Sequence, residues 1–152
     1  MTAMMADDGF PSVKEAVTLL VVEDDIVDQE IVKRSFQRAD LSHPLVFANN
    51  GYEALKIMRG EEPGIALQEP YMVLLDLNMP VMDGFEMLDE VRRDDNLRDK
   101  VIFILSTSDD ERDVKRAYAT GISGYIKKGN IAEGFTAATK MLSSFGNVVT
   151  FP

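Results

Sequence analysis

The chain has no cysteine among its 152 residues, so disulfide bonds, thiolate metal sites and cysteine nucleophiles are excluded. Positive charge is also scarce, because 26 acidic residues against 16 lysines and arginines give a formal net charge of -10. This excess of negative charge disfavours sequence-independent nucleic-acid binding and docking on anionic lipid. No apolar run approaches the roughly 18 residues of a membrane span, and the N-terminus lacks the apolar core of a signal peptide. We therefore expect a cytoplasmic protein with no nucleic-acid or membrane partner.

The chain does contain alternating short apolar runs and amphipathic segments, the pattern of an α/β fold with a parallel sheet. The apolar runs predict strands over residues 17–23, 45–48, 71–76, 101–106 and 124–127. The amphipathic segments predict helices over 27–39, 51–59, 84–93, 109–120 and 131–145. Five such units predict a doubly wound, flavodoxin-like (βα)5 fold with strand order 2-1-3-4-5. We expect one domain over 17–145, with an N-terminal extension (1–16) and a C-terminal tail (146–152).

The fourth predicted helix has a signal at each end. Ser108 opens a sequence that fits a capping box, so we expect Ser108 to be the N-cap. Gly121 suits the C-terminal cap. An apolar stripe that includes Ala117 and Tyr118 is expected to pack on the sheet.

Two of the apolar runs end in acidic residues, Glu23 and Asp24 after the first run and Asp76 at the end of the third. Strands one and three are neighbours in the predicted order, and right-handed crossovers place their ends at the same edge, so these carboxylates should converge. Three carboxylates at close range repel unless a cation neutralises them. Mg²⁺ prefers oxygen ligands, and two carboxylates with the backbone carbonyl of Asn78 would provide them. Each acid taken singly could equally begin a turn or a helix.

A hydroxyl and an ammonium group are predicted at the same edge. Ser106 ends strand four, and Lys128 follows strand five. Around a metal-bound carboxylate, these groups would form a site for a phosphoryl group. The carboxylate itself could be the nucleophile and give an aspartyl phosphate. Singly, Ser106 could equally be a strand-end hydroxyl and Lys128 a solvated surface charge.

These residues together resemble a bacterial two-component response-regulator receiver domain of the chemotaxis-regulator type. The resemblance covers roughly residues 17–145 and rests above all on the run from Asp76 to Gly84, which reads D-x-N-M-P-x-M-D-G. It implies that Asp76 accepts a phosphoryl group from a sensor histidine kinase in a Mg²⁺-dependent reaction. A protein of this kind is not an enzyme, apart from intrinsic phosphotransfer and autodephosphorylation.

The resemblance also implies a role for each of the other residues. Asp24 and Asp76 would ligate Mg²⁺ directly, with the carbonyl of Asn78, and Glu23 would act on the metal mainly through water. The implied phosphoryl ligands are Ser106 and Lys128. The implied switch residues are Ser106 and Tyr125, although Tyr125 could equally be an ordinary core aromatic.

Shorter stretches, at 22–28, 75–78 and 105–111, are similar to single-domain regulators paired with bacterial phytochrome histidine kinases. This similarity implies a signal of red or far-red light and a homodimer. No DNA-binding region is expected after the last helix. Output would then run through changed contacts with a downstream protein that the sequence does not identify.

One departure from the family keeps an alternative open. Gly129 follows Lys128 where receivers usually have proline, so we expect a trans peptide there. The alternative is a degenerate receiver that acts as a phosphorylation-independent binding module. A phosphatase would need a second acid two residues after Asp76, where the chain has Asn78. Phosphotransfer through His43 would need an exposed helical histidine, whereas His43 precedes a proline and is expected to be a turn residue.

Overall fold

A computed structural model describes residues 17–38, 43–79 and 81–127 of the chain. Within these ranges the strands are Thr18–Val22 (β1), Leu45–Ala48 (β2), Tyr71–Asp76 (β3), Val101–Ser106 (β4) and Gly124–Lys127 (β5). The helices there are Ile26–Arg38 (α1), Gly51–Met58 (α2), Gly84–Arg93 (α3) and Glu111–Ala119 (α4). Each observed element lies at a predicted position, and small differences are confined to the element ends.

The strands form one parallel sheet in the order β2-β1-β3-β4-β5. This is the predicted order, so the flavodoxin-like α/β fold class is confirmed. Every residue of β1 and of β3 is buried. A strand that is covered on both faces must be apolar on both, which explains why these segments read as continuous apolar runs.

The side chains of the strands divide between two cores, one on each face of the sheet. Leu20 and Val73 pack into a core shared with α2 and α3, whereas Leu19 and Leu74 pack with Phe36 of α1. Successive residues of a strand point to opposite faces, so neighbours in sequence enter different cores. Full burial of one such side chain is worth roughly 1.5–3 kcal/mol. The two cores therefore fix the strands, and with them the edge at which the polar residues lie.

The strand register brings the acidic residues side by side. Val22 lies beside Leu75 in the sheet, so Glu23, the next residue, lies close to Asp76 at the end of β3. Ser106 is the last residue of β4, which is the neighbour of β3 on its other side. These three residues consequently lie at the carboxyl edge of the sheet, where ligands bind in open α/β folds.

The start of α4 differs from the sequence prediction. Asp110 is the N-cap, and its side chain accepts a hydrogen bond from the Arg112 N–H at 2.8 Å. Ser108 Oγ instead accepts from the Asp110 N–H and donates to Asp113 Oδ2 at 2.7 Å. The capping role predicted for Ser108 was therefore wrong, because α4 begins at Glu111 and Asp110 is the residue that directly precedes it.

The other two expectations for α4 had opposite outcomes. Gly121 follows the helix with a φ of 80°, a left-handed value that glycine adopts readily, so the predicted cap is confirmed. Ala117 is buried, but Tyr118 is 50% exposed. The predicted packing of Tyr118 on the sheet was wrong, because adjacent helical residues point about 100° apart and Ala117 is the one that faces the core.

Several predictions fall outside the described residues. They are the helix over 131–145, the extension over 1–16, the tail over 146–152, and the positions of Lys128 and Gly129. The domain boundaries built on them stay predictions. None of the helices in the described ranges has the length and apolar character needed to cross a membrane.

Candidate functional site

The carboxylates of Glu23, Asp24 and Asp76 meet at the carboxyl edge of the sheet. One oxygen from each lies within 4.8 Å of the others. Glu23 and Asp76 are buried, and Asp24 is exposed. Oxygens that share a divalent cation lie at most about twice the metal–oxygen distance apart, roughly 4–5 Å. The predicted convergence of the acids is confirmed, and its geometry fits a hard cation.

The loop between β1 and α1 fixes the first two acids. The Glu23 N–H donates to the Ala48 carbonyl at 3.0 Å, which extends the ladder between β1 and β2 by one residue. The Asp25 N–H donates to Glu23 Oε1 at 3.0 Å, and the Val27 N–H donates to Asp25 Oδ1 at 2.8 Å. Asp25 thus satisfies a free amide at the start of α1, while Asp24 remains directed to the site.

The loop after β3 holds Asp76. The Asn78 N–H donates to Asp76 Oδ1 at 3.0 Å, and the Gly84 N–H donates to the Leu77 carbonyl at 3.0 Å. A Cβ at Gly84 would lie 2.6 Å from Leu77 Cα and 2.7 Å from the Asp76 carbonyl oxygen. Such distances exclude any side chain larger than hydrogen unless the backbone moves. Glycine at this position therefore allows α3 to begin directly against the Asp76 backbone.

The predicted metal ligand Asn78 is exposed and two residues beyond Asp76. Its side-chain amide donates to Ser106 Oγ at 3.3 Å and to Thr107 Oγ1 at 3.5 Å. This contact joins the β3 loop to the end of β4, and sequence reasoning had not anticipated it. The direct ligation of a cation by the Asn78 carbonyl stays a prediction.

The two predicted switch residues are linked through Ser108. Ser106 is fully buried, and its Oγ accepts from the Ser108 N–H at 3.1 Å. Tyr125 is half-buried against the core, and its hydroxyl donates to the Ser108 carbonyl at 2.9 Å. The same backbone residue thus contacts both side chains. Sequence reasoning missed this role of Ser108, because backbone groups leave no trace in the residue types.

The structure describes Lys127 and His43, but the described residues end before Lys128. Lys128 lies outside the described residues, so its contact with a phosphoryl group stays a prediction. Its neighbour Lys127 is exposed, and its ammonium lies 3.7 Å from Asp109 Oδ2 in the loop before α4. His43 lies just before β2, where its Nδ1 is 3.0 Å from the Val17 carbonyl oxygen. That position is at the opposite edge of the sheet, so the structure does not bring His43 to the acidic site.

Three exposed apolar residues follow the two acidic segments closely in the chain. Ile26 and Val27, at the start of α1, are 72% and 66% exposed, and Val81, in the loop after β3, is 69% exposed. Large apolar side chains with this exposure are costly to leave in water when they lie together, and such patches commonly mark interaction sites. We call Ile26, Val27 and Val81, the exposed apolar residues that follow the two acidic segments in sequence, the apolar rim.

Comparison with known proteins gives matches over the part of the chain that carries this site. The model of the "Response regulator receiver domain" family matches residues 19–140. A probable methanogenesis regulatory protein, FilR2 of Methanothrix harundinacea, is 34% identical over 110 residues, which cover 72% of this chain and 70% of that protein. The response regulator Rcp1 of Synechocystis is 28% identical over 135 residues, which cover 88% and 92% of the two chains.

Solved structures of response regulators are also similar to this chain. The response regulator RPA3017, from red light signalling of R. palustris, is 34% identical, with a TM-score of 0.77 over 90% of this chain and 98% of that one. The Mn²⁺-bound form of a response regulator Rcp1 is 28% identical, with a TM-score of 0.76 over 90% and 99% of the two chains.

Proposed function

The chain belongs to the response regulator receiver domain family, and from this premise we propose that Asp76 is its phosphoacceptor. Receiver domains are signalling phosphoacceptors that pair with sensor histidine kinases and bind a divalent metal at an acidic pocket. The observation that carries the proposal is the meeting of Glu23, Asp24 and Asp76 within 4.8 Å. Asp76 is the member of this group that ends a strand with its neighbours Asn78 and Ser106 beside it.

The cation we propose for the site is Mg²⁺. When bound, it would neutralise the carboxylates and an incoming phosphoryl group, which a site with this much negative charge needs. Asp24 and Asp76 would hold it directly, the Asn78 carbonyl would complete the protein ligands, and Glu23 would act through water. Glu23 is buried and its Oε1 accepts from the Asp25 N–H. This hydrogen bond holds the Glu23 carboxylate in place, which supports a role through water better than direct ligation of the cation.

The proposed reaction transfers a phosphoryl group from a kinase phosphohistidine. An Asp76 carboxylate oxygen attacks phosphorus, an O–P bond forms, and the N–P bond breaks with its electron pair leaving on the imidazole nitrogen. The protein contributes positioning and charge, which are the main terms in phosphoryl transfer. Ser106 would donate its hydroxyl to one phosphoryl oxygen, and Lys128 would pair with another. Attack of water on the phosphorus of the acyl phosphate would break the O–P bond to Asp76, release inorganic phosphate and restore the carboxylate.

The apolar rim supports a protein as the phosphodonor. Ile26, Val27 and Val81 follow the acidic segments in sequence and are each about two-thirds exposed or more. A small donor such as acetyl phosphate would leave them in water, whereas a helix of a kinase could cover them. Burying apolar area of this kind is worth roughly 25 cal/mol per Å².

We place the protein in a light-signalling pathway, with a bacterial phytochrome kinase upstream. The support is its similarity to RPA3017, which is described in red light signalling, and to a cyanobacterial phytochrome response regulator, RcpA. The proposal includes a homodimer, a cytoplasmic location and output through changed contacts with another protein. It also includes a receiver over 17–145 flanked by an extension and a tail.

Incubation with acetyl phosphate and Mg²⁺, followed by intact-mass measurement, tests the proposal. We expect one added phosphoryl group on the wild-type protein and none on Asp76→Asn or without a divalent cation. Asp95→Asn is a matched control, because Asp95 is an exposed acid of the α3–β4 connection that forms a surface ion pair with Arg98. An unmodified wild-type mass would favour a phosphorylation-independent binding module. Modification that survives Asp76→Asn would overturn the site assignment.

A further inference from the structure

Gln29 contacts the peptide that joins two of the three acids. It lies in the first turn of α1, and its Nε2 donates to the Glu23 carbonyl oxygen at 2.7 Å. That carbonyl belongs to the peptide group between Glu23 and Asp24. Because a peptide group is planar, fixing its oxygen fixes the orientation of the amide that begins Asp24. The Gln29 side chain thus constrains the backbone of an acid that it does not touch.

The same amide is anchored on a second loop. Gln29 Nε2 also donates to Asn49 Oδ1 at 3.1 Å, and the Asn49 amide lies 3.5 Å from Glu53 Oε2 in α2. The Glu23 N–H is held by the Ala48 carbonyl on the same side of the site. Gln29 therefore connects the acidic loop to the start of α2, rather than hanging from α1 alone.

Asp24 is the acid that needs such a connection. Glu23 and Asp76 are buried, so packing restricts their side chains, whereas Asp24 is exposed. Packing restrains an exposed carboxylate little, so its position depends more strongly on the backbone that carries it. Groups that orient the ligands of a metal typically contribute 10- to 100-fold to metal affinity.

We propose that Gln29 is a positioning residue for the cation site, whose side-chain amide holds the Glu23–Asp24 peptide in the orientation that Asp24 needs to bind a divalent ion. This inference rests on the proposed function, because it assumes that Asp24 is a metal ligand. It assigns Gln29 no contact with the cation or with the phosphoryl group.

Gln29→Glu and Gln29→Met separate positioning from electrostatics. Both replace the donor by a side chain of similar length, and the glutamate adds a negative charge near the site. Coulomb attraction alone would make Gln29→Glu bind Mg²⁺ more tightly, whereas positioning predicts weaker binding in both variants. We expect the Mg²⁺ dissociation constant, measured by calorimetry at pH 8, to rise about 10-fold in each.

Gln37 provides the matched control, because it is an exposed glutamine of the same helix, two turns further from the acids. Gln37→Glu and Gln37→Met should keep the wild-type dissociation constant. Urea unfolding of the metal-free variants checks the fold, and at saturating Mg²⁺ the phosphorylation rate of Gln29→Met with acetyl phosphate should return to near the wild-type value. The inference is overturned if Gln29→Met binds Mg²⁺ like wild type, if Gln29→Glu binds more tightly, or if Gln37→Met weakens binding equally. A wild-type protein that binds no Mg²⁺ would instead contradict the proposed function itself.

Discussion

Replacing Gly84 by alanine tests whether the loop after β3 holds Asp76 in place. The added Cβ would lie 2.6 Å from Leu77 Cα, where ordinary contacts begin at 3.4 Å. It would also lie 2.7 Å from the Asp76 carbonyl oxygen. Both atoms belong to the backbone, so no side-chain rotation can relieve the overlap. Either the Asp76–Leu77 peptide or the first turn of α3 must move by most of an ångström.

Two effects of opposite sign act on the stability of Gly84→Ala. Alanine is favoured over glycine by up to about 1 kcal/mol inside a helix, and overpacking usually destabilises by about 1–3 kcal/mol. Because the overlap involves backbone, we expect the second effect to dominate and the free energy of unfolding to fall by about 1–2 kcal/mol. A displacement of about 1 Å at a reacting group can slow a reaction about 100-fold, so we expect phosphorylation of Asp76 to slow by about 10- to 100-fold.

Urea unfolding measures the free energy of unfolding of Gly84→Ala. Intact-mass time courses with acetyl phosphate at saturating Mg²⁺ measure its rate of phosphorylation. Gly51→Ala is the matched control, because Gly51 also begins a helix. Two of the three atoms nearest its Cβ belong to the flexible Met82 side chain, at 3.0 and 3.1 Å. That variant should phosphorylate at close to the wild-type rate. A Gly84→Ala protein with wild-type stability and wild-type rate would refute the reasoning.

The remaining predictions concern Tyr71, Arg92 and Val81. The hydroxyl of Tyr71 is buried without a hydrogen-bond partner among the described residues, so Tyr71→Phe should unfold at equal or higher urea concentration. Burial raises the pKa of Tyr71 to about 12, so the unfolded state ionises first and wild type should lose more stability than Tyr71→Phe between about pH 10 and 12. The Arg92 guanidinium donates to four backbone carbonyls on two connections, so Arg92→Met should lower the free energy of unfolding by about 2–3 kcal/mol, while Arg93→Met, at a side chain 71% exposed, should change it little. Val81→Asn, which removes the apolar side chain without adding charge, should slow phosphotransfer from a kinase but leave the acetyl phosphate rate unchanged, and equal slowing with both donors would contradict the role of the apolar rim.

The fold and the acidic cluster were predictable because each depends on residue type alone. Strands buried on both faces must be apolar throughout, so β1 and β3 stand out as continuous runs. Parallel strands joined by right-handed crossovers bring their carboxyl ends to one edge. The placement of Glu23, Asp24 and Asp76 then follows from the strand order, and no detail of any loop is needed.

The contacts that were not predicted depend on the path of a loop. Ser108 and Asp110 are both good N-cap residues, and only the turn after β4 decides that Asp110 occupies the position. Gln29 and Gln37 are both glutamines on one amphipathic helix, and nothing in the residue pattern distinguishes the one that reaches the Glu23 carbonyl. Composition and periodicity therefore locate the site, whereas its support by hydrogen bonds requires coordinates.

The hydrogen bonds around Ser106 give a physical reason for a link between Asp76 and Tyr125. Ser106 Oγ already accepts from the Asn78 amide and from the Ser108 N–H, at 3.3 and 3.1 Å. A rotation of the Ser106 side chain that moves Oγ toward a phosphoryl group on Asp76 would break one or both of these bonds, and each is worth about 0.5–1.5 kcal/mol net. A hydrogen bond to a charged acceptor is worth about 1.5–3 kcal/mol, so the turned state gains only when the phosphoryl group is present. Release of the Ser108 N–H would loosen the backbone at Ser108, and the carbonyl of this residue accepts the hydrogen bond from the Tyr125 hydroxyl. The difference between these energies is small, so phosphorylation would shift a population of Tyr125 conformations rather than lock a single one.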